Sequence, residues 1–155
     1  MACLWIIRHA DAEKDNYDKD FDRELTELGK KEITKAREKF LEKIDAEGLV
    51  LVSEAKRTQE TANFLDFPKG WKRYNLSELY ECSLSDGLSL LSERLSNVHS
   101  QVALVGHNPF VSNLCSYLSG DFTSLKTANI GRLKIPEKNF DVALACKGIW
   151  ELKIL

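Results

Sequence analysis

The stretch Leu4-Trp5-Ile6-Ile7-Arg8-His9-Ala10 passes in one step from an apolar run to a cation and an imidazole. A short, solidly apolar run rich in β-branched residues reads as a strand covered on both faces, which calls for a largely parallel sheet between helical layers. Leu49-Val50-Leu51-Val52 and Val102-Ala103-Leu104-Val105 have the same character. Between the first two runs Ile33, Ala36, Phe40, Leu41 and Ile44 recur at helical spacing, with lysines and glutamates on the opposite face. Thr26 is placed to cap that helix, Glu27 suits its positive end, and Gly48 is expected to stop it. A shorter helix is expected over 54–65, ended by Pro68 and Gly70. Another is expected over 86–100, with Leu88, Leu91, Leu95 and Val98 on one side, and a fourth from Asn108-Pro109 to Gly120. The final stretch from Gly131 alternates and reads as strands, with a turn near Lys147-Gly148. The pattern predicts a three-layer α/β/α fold with a mostly parallel mixed sheet, in a single domain spanning 1–155.

Composition narrows the function. The chain has 155 residues, of which 43% are hydrophobic, enough for a proper core. With 22 basic and 24 acidic residues there is no basic footprint for a nucleic acid, so none is expected as a partner. No apolar run is long enough to span a bilayer, and the N-terminal run, interrupted by Arg8, lacks the features of a signal peptide. The four cysteines, Cys3, Cys82, Cys115 and Cys146, are scattered and form no CxxC pair, which suits reduced thiols and a cytoplasmic location. Cys3 has only four residues between it and Arg8, one short of the spacing a phosphotyrosine-type cysteine nucleophile requires.

In an open α/β sheet, ligands bind beyond the carboxyl ends of the strands. The first run exits into Arg8-His9, the second into Ser53 with Arg57 in the following helical turn, and the third into Gly106-His107-Asn108. Taken singly, these are equally a loop start, a helix cap and a turn; their coincidence at three equivalent strand ends points to a site. His99, in a polar helix end, reads as a surface residue. Two histidines and two arginines without paired carboxylates make a poor metal site, because the guanidinium charges repel the ion. They make a good phosphate site: arginine matches phosphate oxygens with a planar fork, and a neutral imidazole is a nucleophile toward phosphorus. No metal or organic cofactor is expected, since the arginines supply the positive charge.

The segments "IIRHADA", "VSEAKRTQET" and "VALVGHNPFVSNL" resemble, in order and spacing, the signature elements of the histidine phosphatase superfamily with its phosphoglycerate mutase-like fold. Within it the likeness is closest to the short SixA-type phosphohistidine phosphatases, which "DFDRELTELG" and "SELYECS" also resemble. Glu24 and Glu54 stand where those proteins commonly carry proline. The resemblance implies His9 as nucleophile, with Arg8, Arg57 and His107 around the phosphate and Arg23, Asp20, Ser53 and Asn108 in the binding site. Glu78 and Glu81 fall where mutase-type members carry a general acid; they are equally two exposed loop glutamates. The expected activity is a phosphatase acting through a phosphohistidine intermediate on a phosphorylated signalling protein that bears phosphohistidine. A phosphatase for a small phosphorylated metabolite and a phospho-binding module without turnover are the alternatives.

Overall fold

The computed structural model describes residues 2–14, 19–95, 99–135 and 140–155. The three apolar runs lie in strands β1 (Ala2–Arg8), β2 (Glu47–Ser53) and β4 (Gln101–Gly106), and β3 (Gly70–Leu76), β5 (Ile130–Ile135) and β6 (Glu151–Ile154) complete one sheet. The spatial order is β3-β2-β4-β1-β5-β6. β3, β2, β4 and β1 run parallel, whereas β5 is antiparallel to β1 and β6 antiparallel to β5. The sheet is therefore mixed and mostly parallel, as expected.

Alternation along the strands supplies two cores. Leu4, Ile6, Leu51 and Leu104 pack with α3 (Leu84–Arg94), α4 (Phe110–Ser119) and α5 (Phe140–Ala145) on one face. Trp5, Ile7, Val50, Val52 and Val105 pack with α1 (Glu27–Leu41) and α2 (Lys56–Leu65) on the other. Burial on both faces explains why these strands read as unbroken apolar runs. Trp5, wholly buried, satisfies its indole N–H on Gln101 Oε1 at 2.9 Å.

Several boundaries differ from the sequence expectation. Thr26 does cap α1, accepting from Gly29 N, but the helix ends at Leu41. Gly48 does not stop it; it lies inside β2 against the Trp71 ring, where a Cβ would come within 2.7 Å of the indole. α2 begins at Lys56, two residues later than expected, and stops at Asp66, left-handed at φ 52°, before Pro68 and Gly70 are reached. Gly70 instead opens β3, an edge strand with only Trp71 and Leu76 buried, too few to produce a readable period. α3 starts early because Ser83 caps it through Asp86 N, and it ends at Arg94; Val98 lies outside the described residues. The helix expected from Asn108-Pro109 to Gly120 is present as α4, which begins at Phe110 with Pro109 as its N-cap after a cis Asn108–Pro109 bond, and Gly120 caps its end at φ 81°. α5 falls within the stretch expected to be strand, while the turn at Lys147-Gly148 is present, with Gly148 at φ 78°. No described helix is long and apolar enough to cross a membrane.

Candidate active site

Parallel register sets the site. Arg8, the last residue of β1, lies opposite Gly106, the last of β4, and His9 N donates to Gly106 O at 3.1 Å. β2 ends beside β4 at Ser53. Consequently His9, Ser53 and His107 leave three adjacent strands at one edge of the sheet. The His9 and His107 rings lie 5.4 Å apart, centroid to centroid. His107 Nε2 is 2.8 Å from Ser53 Oγ.

His9 is buried, and its Nδ1 is bonded to its neighbour's carbonyl, Ala10 O, at 2.7 Å. A carbonyl only accepts, so Nδ1 carries the proton and Nε2 keeps its lone pair. Burial pushes the imidazole pKa down to about 4, and the charges of Arg57, Arg8 and Arg23 push in the same direction. His9 is thus neutral at pH 7. His107 is likewise depressed, to about 3, by burial and by Arg57.

Ser53 Oγ accepts the Ala55 N–H at 3.5 Å, which leaves its own hydrogen free for His107 Nε2. In that arrangement His107 carries its proton on Nδ1. This Nδ1, and the Nε atoms of Arg8 and Arg57, are buried without a hydrogen-bond partner among the described residues. Unpaired buried donors on cationic or polar side chains are costly unless an anion meets them. An oxyanion at the strand ends can meet such donors; the Nε atoms of Arg37 and Arg132, on α1 and β5, are unpaired in the same way.

The arginines are held individually. Arg8 Nη1 donates to Leu125 O at 2.9 Å. Arg57, in the first turn of α2 and only 5% exposed, donates to Asp20 O at 2.9 Å and Asp20 Oδ2 at 3.0 Å. Arg23 donates to Asp20 Oδ1 at 2.8 Å and to Glu13 O at 3.0 Å. One carboxylate therefore sits between two guanidinium groups, and Tyr80 donates its hydroxyl to the same Asp20 Oδ2 at 2.5 Å. The Tyr80 bond, more than any other contact, holds the Asp20 carboxyl down to about 2; Arg57 and Arg23 assist.

Asn108 directs Nδ2 to Leu125 O and accepts from Ser112 at Oδ1, so both ends of its amide are engaged within the protein. A cleft of about 350 Å³ runs from His107 and Asn108 past Tyr80 and Glu81. Glu81 lines it; Glu78 does not, and is exposed beside Ser77.

Sequence reading missed three supporting side chains. Thr61 Oγ1 accepts from Ala10 N at 3.1 Å and donates to Arg57 O at 2.6 Å, tying the loop after His9 to the helix carrying Arg57. Thr61 was visible in "RTQET", but a threonine inside a helix carries no signal of what it bonds. Tyr80 lies 60 positions from Asp20 and Ser112 13 from Leu125, and no sequence period connects either pair.

The chain matches the family model of the histidine phosphatase superfamily (branch 1) over residues 4–95. It is 27% identical to an uncharacterized chloroplastic protein of Arabidopsis thaliana, over 97% of this chain and 75% of that protein. Its fold is similar to that of a proposed phosphohistidine phosphatase SixA from Nakamurella multipartitia (TM-score 0.82, 21% identity, 99% and 95% of the two chains). It is also similar to that of a proposed alpha-ribazole-5'-P phosphatase from Escherichia coli (TM-score 0.70, 18% identity, 89% and 93%). With the matched segment covering more than half of its length, including the Arg8-His9 strand end and Arg57, the chain belongs to the histidine phosphatase superfamily.

Proposed function

We propose that the protein is a phosphatase that uses His9 as its nucleophile and acts on protein phosphohistidine. One observation carries the reading: a buried, neutral imidazole with Nδ1–H held by Ala10 O, and so with Nε2 unprotonated, among Arg8, Arg57 and His107. In the first step His9 Nε2 forms a bond to phosphorus as the bond to the leaving nitrogen breaks, and the departing imidazole takes up a proton. In the second, water attacks phosphorus, the P–Nε2 bond breaks, and inorganic phosphate leaves with His9 restored. Arg8, Arg57 and the His107 Nδ1–H face the equatorial oxygens, where transition-state charge is spread, and Arg23 adds a further donor. Loss of one such donor costs about 2.7–4 kcal/mol of barrier. As an anion, Asp20 acts on the arginines rather than on phosphate, and Ser53 acts through His107.

A phosphohistidine suits this site because its leaving nitrogen needs little acid assistance. Four free thiols suit a reducing compartment, and we place the protein in the cytoplasm. A second reading, hydrolysis of a small phosphomonoester, is favoured by Glu81, which lines the same cleft and could protonate an alkoxide. A panel pairing a phosphohistidine peptide with sugar phosphates separates the two. The peptide is expected to be the better substrate; a hundredfold preference for a sugar phosphate that collapses in Glu81→Gln would establish the second reading instead. His9→Ala is expected to abolish turnover and retain phosphate binding. Turnover at a tenth of wild type in that variant would remove His9 from its role.

A further inference from the structure

The carbonyl that holds Arg8 belongs to a loop, and its place is set by side chains. Leu125 O accepts from Arg8 Nη1 at 2.9 Å and from Asn108 Nδ2 at 3.0 Å. The N–H of the same residue, Leu125, donates to Ser112 Oγ at 2.9 Å. Ser112 Oγ in turn donates to Asn108 Oδ1 at 2.6 Å. The three residues close a ring of hydrogen bonds in which each of the five polar groups is satisfied by another member. Ser112 is 8% exposed and Leu125 1%, while Asn108 is half-buried at the cleft, so the Ser112–Leu125 bond in particular is shielded from water. Asn108 directly follows His107.

We infer that Ser112 and Asn108 are positioning residues for Arg8. Through Leu125 they lock its guanidinium to the strand end that carries His107, so two members of the phosphate clamp keep one spacing before substrate arrives. A helix-capping role does not account for the arrangement: Ser112 donates to the side chain of Asn108 and not to its backbone carbonyl, and the Leu125 peptide lies outside α4. The loop has other anchors. Ser116 Oγ bonds Thr123 N at 2.9 Å and Thr123 O at 3.1 Å, and Thr127 donates to Glu32 at 2.9 Å. Removing the Ser112 hydroxyl therefore loosens the Leu125 peptide without releasing the loop.

The inference rests on the proposed phosphatase reading, and the test separates the two. kcat/KM for an aryl phosphate and calorimetric binding of inorganic phosphate are measured in wild type, Ser112→Ala, Arg8→Ala and the double variant. Ser112→Ala is expected to lower kcat/KM about tenfold in the wild-type background and less than about twofold where Arg8 is already absent. Asn108→Ala, run through the same cycle, is expected to show the same loss of effect and serves if Ser112→Ala folds poorly. Equal losses in both backgrounds, or full activity in both single variants, would overturn the inference. Wild type that binds phosphate but hydrolyses nothing would count against the phosphatase reading alone, and the same cycle read by phosphate affinity then decides the inference. Wild type that does not bind phosphate would overturn both.

Discussion

At the scale of single residues, the two site histidines are prepared by different partners. His9 takes its orientation from a backbone carbonyl, Ala10 O, which no substitution at that position removes. His107 depends on a side chain, Ser53, and is the more vulnerable. Ser53→Ala is expected to free the His107 tautomer, so that the Nε2–H form gains population at the expense of Nδ1–H, and to lower kcat/KM roughly 5- to 30-fold. Nitrogen chemical shifts of the His107 ring report the tautomer directly; unchanged shifts would mean that Ser53 does not set it. Tyr80→Phe removes the largest influence on Asp20 while keeping the ring that packs edge-on against His107 at 5.6 Å. The Asp20 carboxyl, held at about 2, is then expected to titrate closer to its ordinary value of 3.8, read from its carboxyl carbon shift. No movement would show that the arginines alone hold it.

Among the elements, those buried on both faces were legible and the exposed or short ones were not. β1, β2 and β4 announced themselves as apolar runs because each contributes to both cores. β3 stayed hidden since, as an edge strand, it buries two residues out of seven, and α5, six residues long, is too short to show a helical period. The start of α1 was readable from Thr26, but its contact with the segment after His9 was not. Thr26 N donates to Asp11 O at 3.0 Å and Thr26 Oγ1 to Asp11 Oδ2 at 2.7 Å, while Gly29 lies so close that a Cβ would come within 2.1 Å of Asp11 O. Backbone cannot yield as a flexible side chain can. Gly29→Ala is expected to push α1 off the Ala10–Glu13 segment and destabilise the protein by about 1–3 kcal/mol. Chemical denaturation measures the loss, and a Gly29→Ala protein as stable as wild type would show that the helix moves away at no cost.

At the scale of the whole molecule, the candidate site was legible because parallel strands deliver their carboxyl ends to one edge: Arg8-His9, Ser53 and His107 are brought together by the register of β1, β4 and β2, and Arg57 follows in the first turn of α2. The network behind it, from Tyr80 to Asp20 and from Ser112 to Leu125, joins residues 60 and 13 positions apart through side-chain geometry that no period encodes. That burial has a consequence for stability. His9 and His107, 8% and 7% exposed, have pKa values near 4 and near 3, against 6.5 when free in water. Arg57, Arg8 and Arg23 face His9; Arg57, Arg23 and the opposing charge of Asp20 face His107. With pKa values lower in the folded than in the unfolded chain, both imidazoles bind protons in the unfolded state first. Stability is therefore fully present above pH 6.5 and falls as pH drops through the window from 6.5 toward 4 and 3, at up to roughly 2.7 kcal/mol per pH unit for two protons. Asp20, also depressed, adds a loss only below its ordinary value of 3.8, so the interval from pH 6.5 to 5 isolates the histidines. Urea denaturation across that interval is expected to show the slope in wild type, about half of it in His9→Ala, and almost none in His9→Ala/His107→Ala. Saturating phosphate is expected to oppose the loss, because a dianion bound beside both imidazoles would raise their pKa values in the folded state. A wild-type stability that stays flat from pH 6.5 to 5, or a slope that survives removal of both rings, would mean that the site tolerates imidazolium and that its histidines are not held neutral by burial.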